Sequence, residues 1–580
     1  MPQRILPALY RVIQSLMFAI GTIATAALVY EYGFGMPDNW YARAHQYEFT
    51  AAYVFCFLQL LKLLLVQHPI RYLRKHWLQF TLVLLMLFQL AAGIGISMSP
   101  EYKYLEQHYG QVPLSSISLA FVQLYFIIAA FIGSAAFHRL LARLRMQPVF
   151  MVGTSFASLI ALGAVFLKFP KSVNPGQHIS WTDAFFTAAS AVCVTGLGTV
   201  DTGTTFSLFG QIVTLLLFQI GGLGVITFTA FMAFFSGAGI YGDNAKKIMV
   251  ILDEDQHSAG RVLFKIIAAT LAIEAIGAWL LYHGWRNEIS DPLMRGYFAL
   301  YHSVSAFCNA GFGLYSDSLF RFRADTAVML CFCCLITLGG LGMPVLFNAP
   351  GSLAKALRGR FDEIPAHFKA VVGISAFMII AGTAAFFALA GPGFMEGFSL
   401  KEKFLSALFL SITTRTCGFA TVDLAGISAL AAGLFALYML VGGSPASTAG
   451  GIKTTGAGVL CAAAYKKLFR KPYEAVRLAG EIVIGKTVRK ALVIAAVFLG
   501  VAACSVMLLA HLETFPLKKI VFEVFSAIGT VGLSMGITPL LSCASKWTLI
   551  LCMYIGRVSP GIIVILINNR DQEKEDIILG

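Results

Sequence analysis

A short apolar segment that ends at a glycine occurs four times and restricts the fold of this chain more than any other feature. The four copies are FFTAASAVCVTGL ending at Leu197, LYHSVSAFCNAGF ending at Phe312, FLSITTRTCGF ending at Phe419 and VFEVFSAIGTVGL ending at Leu533. A second glycine-rich mark follows each copy at a nearly constant distance, at Gly221-Gly222, Gly339-Gly340, Gly442-Gly443 and Gly556. Two landmarks that keep step through four copies indicate an internal fourfold repeat.

The composition places these repeats in a membrane. Of the 580 residues, 58% are hydrophobic and 12% are charged, whereas a soluble domain has about 25% charged residues. Several apolar runs reach the roughly 18–20 residues that cross a bilayer, which predicts an all-α polytopic membrane protein. The net charge of +14 comes mainly from basic residues in alternate connections. We therefore expect the protein to lie in the cell membrane with these connections and both termini in the cytoplasm. We expect no nucleic-acid partner.

The chain divides into an N-terminal region and four repeats. Residues 1–147 contain four apolar runs, about Ile13–Leu28, Phe49–Val66, Leu78–Ile96 and Ile117–Phe137, the first of which is interpreted as a retained anchor. The repeats are predicted at 148–250, 251–360, 361–480 and 481–580. In each one a long apolar helix precedes the short segment, and a second long helix follows the glycine loop. The second helices are predicted at about Leu208–Phe235, Ala327–Phe347, Leu424–Ala464 and Leu549–Ile567.

The basic connections between repeats lie on the same side as the N-terminus, so the short segments enter from the external face and return to it. This predicts eight spanning helices and four re-entrant pore helices in pseudo-fourfold symmetry, after four extra transmembrane helices. Non-helical backbone at membrane depth is tolerated only inside protein or along a water-filled path. A ring of backbone carbonyls can replace the hydration shell of K⁺, and glycine allows the backbone conformations that turn carbonyls inward.

These motifs resemble those of the Trk/Ktr/HKT superfamily of potassium transporters. The resemblance is carried by the four segments above, by GGSPASTAGGIKT at Gly442–Thr454 and by GRV at Gly556–Val558, and it covers the chain from about Pro148 onward. It implies K⁺ uptake through the four loops, a homodimer, and a separate cytosolic nucleotide-binding regulatory subunit. No cofactor is predicted in this chain, since the K⁺ that it would bind is the transported ion and not a cofactor. No enzymatic activity is predicted.

The resemblance also assigns a selectivity filter in which backbone carbonyls bind K⁺. Its residues are Cys193, Val194, Thr195 and Gly196 in the first loop, Cys308, Asn309, Ala310 and Gly311 in the second, Arg415, Thr416, Cys417 and Gly418 in the third, and Gly529, Thr530, Val531 and Gly532 in the fourth. Glycine at the filter position of all four loops is similar to the K⁺-selective members of the superfamily. Cys417 departs from the smaller residue expected before the glycine.

A glycine-rich stretch interrupts the second helix of the third repeat and cannot form a continuous helix. By resemblance it is an intramembrane gate loop below the filter, and a kink that only improves packing is the alternative. The predicted gate residues are Gly442, Gly443, Ser444, Pro445, Ser447, Thr448, Gly450, Gly451, Lys453 and Arg557. The two cations form an electrostatic barrier or a latch for the loop in this interpretation, and cations that snorkel or pair with a buried carboxylate are the alternative.

Other polar residues receive structural interpretations. Glu274 is expected to be a hydrogen-bonding residue rather than a partner of a buried cation, and His302 is assigned to packing or to the surface. Asp183 and Glu402 are expected to cap pore helices rather than to attract ions. The N-terminal region resembles a degenerate, voltage-insensitive voltage-sensor domain.

Two other functions remain open from the sequence. The first is a Na⁺-permeable or Na⁺- or H⁺-coupled K⁺ transporter, because four glycines say nothing about coupling. The second and more remote one is an intramembrane serine hydrolase, because Gly532-Leu533-Ser534-Met535-Gly536 fits the G-x-S-x-G elbow, which also requires a neighbouring histidine and acid.

Overall fold

The computed structural model describes residues 148–235, 259–391, 394–468, 477–479, 481–482 and 485–558, and short helical pieces between positions 12 and 73. The apolar runs predicted at Leu78–Ile96 and Ile117–Phe137 lie outside the described residues, as do most of the first two runs. The chain forms two compact units, Met1–Arg145 and Met146–Gly580. The helices below belong to the second unit.

In the described ranges of this unit there are fourteen helices of at least 12 residues. In chain order they are α1 Pro148–Leu167, α2 Trp181–Val192, α3 Leu208–Phe235, α4 Ala259–Gly284, α5 Pro292–Phe307, α6 Thr326–Leu341, α7 Met343–Leu357, α8 Ala366–Ala388, α9 Leu400–Thr413, α10 Ala429–Leu440, α11 Thr454–Leu468, α12 Gly485–Leu512, α13 Leu517–Ile528 and α14 Cys543–Val558. A two-residue antiparallel pair, β1 Arg477–Leu478 with β2 Glu481–Ile482, lies between α11 and α12.

Helices suited to crossing a membrane surround shorter and more buried ones. Among the described residues, α4, α8 and α12 are each long and apolar enough to span, and α6 with α7 would qualify together as one broken span. The outer helices expose apolar side chains such as Phe377, Ile380 and Met507. By contrast, Ala188 on α2 and Phe522 on α13 are completely buried. Apolar surfaces outside and short helices inside fit a protein whose solvent is lipid.

The short helices α2, α5 and α9 begin at capping residues that the sequence supplies. The Ser180 hydroxyl accepts from the Asp183 amide, and Asp291 caps α5, which has a proline at its start. Ser399 and Glu402 form a complete capping box, as the capping interpretation of Glu402 predicted. α13 starts directly after Pro516. These caps satisfy amide groups that would otherwise lack partners at the helix starts.

One helix prediction is wrong in its continuity. The sequence predicted an unbroken helix over Ala327–Phe347, but α6 ends at Leu341 and the chain bends by 104° into α7. Gly342 has φ 86° at the bend, a conformation that residues with a Cβ rarely adopt. The helix breaks here because Pro344 has no amide hydrogen for the Gly340 carbonyl and because Gly342 accepts the positive φ of the bend. The interruption predicted within Leu424–Ala464 is present, since α10 ends at Leu440 and α11 starts at Thr454.

Candidate functional site

The loops that follow α2, α5, α9 and α13 meet in a closed ring. A Cβ on Gly196 would lie 2.6 Å from the carbonyl oxygen of Ala310 in the second loop. In the same way Gly311 faces the Cys417 carbonyl, Gly418 faces the Val531 carbonyl and Gly532 faces the Thr195 carbonyl. Each loop therefore touches the next, and the fourth touches the first.

The same backbone pattern occurs in all four loops. Four residues with side chains have positive φ: Val194 at 55°, Asn309 at 59°, Thr416 at 86° and Thr530 at 50°. The ring glycine lies two residues later in each case, with φ between 69° and 94°. Positive φ is a genuine outlier for β-branched residues such as valine and threonine, and such strain tends to cluster at functional sites.

Hydrogen bonds hold the loops against their own helices. The amides of Thr195, Ala310 and Val531 each donate at 2.8 Å to a serine carbonyl of the preceding helix. The third loop differs, because the Cys417 amide donates to the Thr413 carbonyl and the Thr413 hydroxyl donates to the Phe419 carbonyl. The amides of the loops are thus used within the protein.

The carbonyl groups of the ring are not used in this way. In the described part of the chain, no group donates a hydrogen bond to the carbonyl oxygens of Thr195, Ala310, Cys417 or Val531. Buried carbonyls nearly always have a partner in proteins. The ring therefore presents four oxygen atoms that are available to a ligand preferring oxygen.

The remaining predicted filter residues lie at the start of each loop. Cys193, Cys308 and Gly529 are the C-caps of their helices. Cys417, the departure from the expected pattern, is completely buried in an apolar cluster, so its side chain packs into the core. The Arg415 side chain donates to the Ser375 hydroxyl of α8 at 3.2 Å, which places the guanidinium behind the loop.

The segment between α10 and α11, residues 441–453, is the predicted gate loop, and it packs into the bend between α6 and α7. The Ser444 amide donates to the Gly340 carbonyl at 3.0 Å, and the Thr448 amide donates to the Gly339 carbonyl at 3.2 Å. The Met343 amide donates back to the Ala446 carbonyl at 3.2 Å. The Thr448 bond replaces the one that the Met343 amide would donate to Gly339 in a continuous helix. The Ser444 bond satisfies the Gly340 carbonyl, to which Pro344 has no amide hydrogen to donate.

The gate loop also contacts the ends of the pore helices. The Thr448 hydroxyl donates to the carbonyl of Phe307, the last residue of α5, at 3.2 Å. A Cβ on Gly450 would collide with the Thr530 side chain, and one on Gly451 would lie 3.4 Å from the Gly529 carbonyl. The predicted gate loop is therefore packed directly against the end of α5 and the loop that follows α13.

Two cations, the partly buried Lys453 and the buried Arg557, bind backbone carbonyls of this region. The Lys453 ammonium donates to the Ala449 carbonyl at 2.8 Å. The Arg557 guanidinium, at the end of α14, donates to the Thr448 carbonyl and to the Gly221 carbonyl of α3. Arg557 thus connects the gate loop to two helices of other repeats. The sequence predicted both residues near the loop without identifying their partners.

Glu523 is a functional candidate that sequence reasoning missed. It is completely buried in α13 and accepts hydrogen bonds from the Ser534 hydroxyl at 2.5 Å, the Thr538 hydroxyl at 2.9 Å and the Met535 amide at 3.0 Å. These bonds fix the chain immediately after Gly532. A carboxylate inside an otherwise apolar pore segment, with hydroxyl residues just downstream, was the signal that could have revealed it.

The same contacts bear on the hydrolase alternative. Within the described residues, the Ser534 hydroxyl bonds with Glu523, Thr538 and the Gly536 amide, and no histidine is among its partners. The histidine that the G-x-S-x-G elbow requires is therefore absent from the contacts of Ser534.

Glu274 and His302 have the structural contacts expected of them. The Gln219 amide donates to the Glu274 carboxylate at 3.1 Å, and the Cys308 thiol donates to the Gln219 side-chain oxygen at 3.2 Å. Nε2 of His302 accepts from the Leu314 amide at 3.1 Å, which fixes the tautomer. These groups support the second filter loop from behind.

An ion pair at the start of α2 joins α2 to α14. The Lys546 ammonium of α14 lies 2.8 Å from the Asp183 carboxylate, and both side chains are largely buried. Burial opposes ionisation of this carboxyl, but hydrogen bonds from Lys546, Ser180 and Thr199 and the Lys546 charge lower the pKa of Asp183 below its ordinary value. Asp183 therefore has an ionic role in addition to its place in the first helical turn.

The lipid-facing helices and the carbonyl ring define a class, that of helical membrane transport proteins. Residues 117–574 match the TrkH family, described as a cation transport protein. The chain is 35% identical to the Ktr system potassium uptake protein B of Vibrio alginolyticus over 409 residues, which cover 70% of this chain and 88% of that protein. It is 32% identical to the potassium/sodium uptake protein NtpJ of Enterococcus hirae, covering 76% and 98%. The chain belongs to the TrkH family, within the Trk/Ktr/HKT superfamily that its motifs resemble.

A solved structure has the same fold. The potassium transporter TrkH from Vibrio parahaemolyticus superposes with a TM-score of 0.60 at 18% sequence identity, covering 85% of this chain and 97% of that one.

Proposed function

We propose that this protein takes up K⁺ across the cell membrane through the ring formed by the four loops. The observation that carries the proposal is the ring itself, in which one backbone carbonyl of each loop lies against the glycine of a neighbouring loop and has no donor in the described part of the chain. Carbonyl oxygens replace the water shell of K⁺ in known filters. The short helices α2, α5, α9 and α13 end at the ring, so their C-terminal partial charges favour a cation there.

The gate loop controls passage in this proposal. It lies against the filter loops, and Arg557 and Lys453 bind its carbonyls. Arg557 acts as a latch because it binds the loop and α3 at once. The two positive charges also oppose passage of a cation while the loop remains in this position.

The proposed architecture consists of the four pore repeats, with eight spanning helices and both termini cytoplasmic. We further propose a homodimer and a separate cytosolic nucleotide-binding regulatory subunit, since the superfamily resemblance implies both. The N-terminal region 1–147 would be an added four-helix membrane domain with a packing or regulatory role.

A second candidate is a Na⁺-permeable or Na⁺- or H⁺-coupled K⁺ transporter. The relative NtpJ, whose name includes both potassium and sodium, favours considering it. In this alternative Na⁺ would also pass through the same ring, or K⁺ transport would be coupled to the movement of Na⁺ or H⁺. The role of the gate loop would be unchanged.

The test is rescue of a K⁺-uptake-deficient bacterial strain at low K⁺ by the full chain, with tracer uptake measured in parallel. K⁺ uptake that is independent of Na⁺ and of the proton gradient supports the first proposal. Uptake that requires either ion supports the second candidate. No cation uptake by protein that is present in the membrane, with a cytosolic regulator co-expressed, would contradict both.

A further inference from the structure

The helix after the bend, α7, has two surfaces that nothing in the described part of the chain covers. One is an apolar stripe at helical spacing, formed by the exposed residues Phe347, Pro350, Leu353 and Leu357. Leu353 is 62% exposed and Leu357 is 82% exposed. Residues at intervals of three and four share one face of a helix, so the stripe is continuous.

The other surface is a basic cluster beside and beyond the stripe, made up of Lys355, Arg358 and Arg360. The carboxylates of Asp362 and Glu363 follow it, but the pairing is loose: the Arg360 guanidinium lies 3.6 Å from Glu363, and both side chains are more than half exposed. Lys355 donates to the Glu363 carbonyl and not to its carboxylate. The three basic side chains are therefore not held in close ion pairs, and residues 355–363 have a net charge of +1.

The bend sets the depth and direction of this helix. The 16 residues of α6 span about 24 Å, which is less than the roughly 30 Å hydrocarbon core. A turn of 104° at Gly342 then directs α7 away from the line of α6. With α6 running along the bilayer normal from the outer boundary, as in the proposed architecture, α7 would start about 24 Å deep and run roughly along the inner boundary. Apolar residues on one face and basic residues at its edge are typical of interfacial helices.

We propose that α7 binds anionic phospholipid of the cytoplasmic leaflet and thereby holds the gate loop in its docked position. The stripe enters the acyl region, and the basic cluster binds the phosphate headgroups. The connection to the gate is direct: the Met343 amide at the start of α7 donates to the Ala446 carbonyl, and a Cβ on Gly342 would lie 2.7 Å from the Pro445 carbonyl oxygen. The proposal rests on the proposed function for the orientation of the membrane and the role of the loop.

The first measurement is native mass spectrometry of the purified full-length protein with added phosphatidylglycerol. Each basic residue near an anionic surface strengthens binding about fivefold. The variant Lys355→Gln/Arg358→Gln/Arg360→Gln should therefore retain the lipid about a hundredfold less well. The matched control Lys401→Gln/Lys403→Gln/Lys519→Gln makes the same change of charge near the starts of α9 and α13 and should bind like the wild type. Equal retention by all three proteins would overturn the proposal, and so would displacement of the lipid by inorganic phosphate.

The second measurement is K⁺ flux into vesicles of phosphatidylcholine alone or mixed with phosphatidylglycerol. We expect the anionic lipid to slow flux through the wild type and the control but not through the triple α7 variant. The variant Leu353→Asn/Leu357→Asn should lose lipid retention without a change in the mass of the assembly; a changed mass would show that a second copy covers the stripe and would overturn the proposal. Absence of K⁺ flux in every lipid would instead count against the proposed function, since lipid retention is measured without flux.

Discussion

Replacing Gly196 by serine tests the carbonyl ring most directly. Gly196 has φ 90°, which costs a residue with a side chain about 1–3 kcal/mol. Its new Cβ would lie 2.6 Å from the Ala310 oxygen, whereas real Cβ contacts essentially never fall below 3.0 Å. The carbonyl must therefore move by about 0.4 Å in a densely packed site that transmits strain.

This displacement makes the four oxygens unequal, so we expect the preference for K⁺ over Na⁺ to fall at least about tenfold, equivalent to about 1.4 kcal/mol. The assay is competition of Na⁺ with rubidium tracer uptake in proteoliposomes. Two variants serve as controls. Gly176→Ser has the same backbone strain, with φ 82° and no atom within 4 Å, and Gly433→Ser has neither the positive φ nor a close neighbour. Unchanged selectivity in Gly196→Ser, or an equal loss in Gly176→Ser, would refute the reasoning.

Three further predictions concern the polar contacts of Arg557, Glu523 and Asp183. Arg557→Gln removes charged hydrogen bonds worth about 1.5–3 kcal/mol each, so tracer uptake should rise about tenfold or more; unchanged uptake would mean that the latch is not needed. Glu523→Gln leaves one hydrogen-bond donor, such as the Ser534 hydroxyl, without an acceptor. This should lower the free energy of unfolding by about 1–3 kcal/mol and therefore lower the Tm in detergent. A Tm equal to that of the wild type would contradict this prediction. Asp183→Asn weakens the pair with Lys546 by about 1 kcal/mol. Because the pKa of Asp183 is lowered in the folded protein, the stabilisation by this pair is present above the ordinary pKa of the carboxyl and is lost as the pH falls through the lowered pKa. The Tm difference between wild type and Asp183→Asn should therefore shrink on acidification, and a constant difference would exclude an ionic role.

Much of the architecture could be read from local sequence signals. The starts of the short helices follow from Ser180, Asp291 and Ser399, which cap helices by chemistry confined to one turn. The ring glycines could be aligned because positive φ at a crowded position excludes a Cβ. The break after Leu440 was predictable because GGSPASTAGG lacks the propensity to continue a helix. These signals are local, so no partner from elsewhere in the chain is needed to interpret them.

Other features depend on contacts between segments that are distant in sequence. The end of α6 at Leu341 was not predicted, although Gly342 and Pro344 were a local signal for it. The bonds from Ser444 and Thr448 to the last carbonyls of α6 are the part that only the fold supplies. The position of the Arg415 guanidinium behind its loop depends in the same way on Ser375 of α8.

By itself, therefore, the sequence determined the membrane class, the repeated helix and loop pattern and the glycines that adopt positive φ. Hydropathy, helix caps and glycine act within one segment, so each can be interpreted from that segment alone. The tertiary structure alone decided which carbonyl each glycine faces, that Arg557 joins the gate loop to α3, and that Glu523 orders the chain beyond the fourth loop. The physical reason is that a buried polar group must find a partner wherever the fold brings one, and the identity of that partner is set by packing and not by neighbours in the chain.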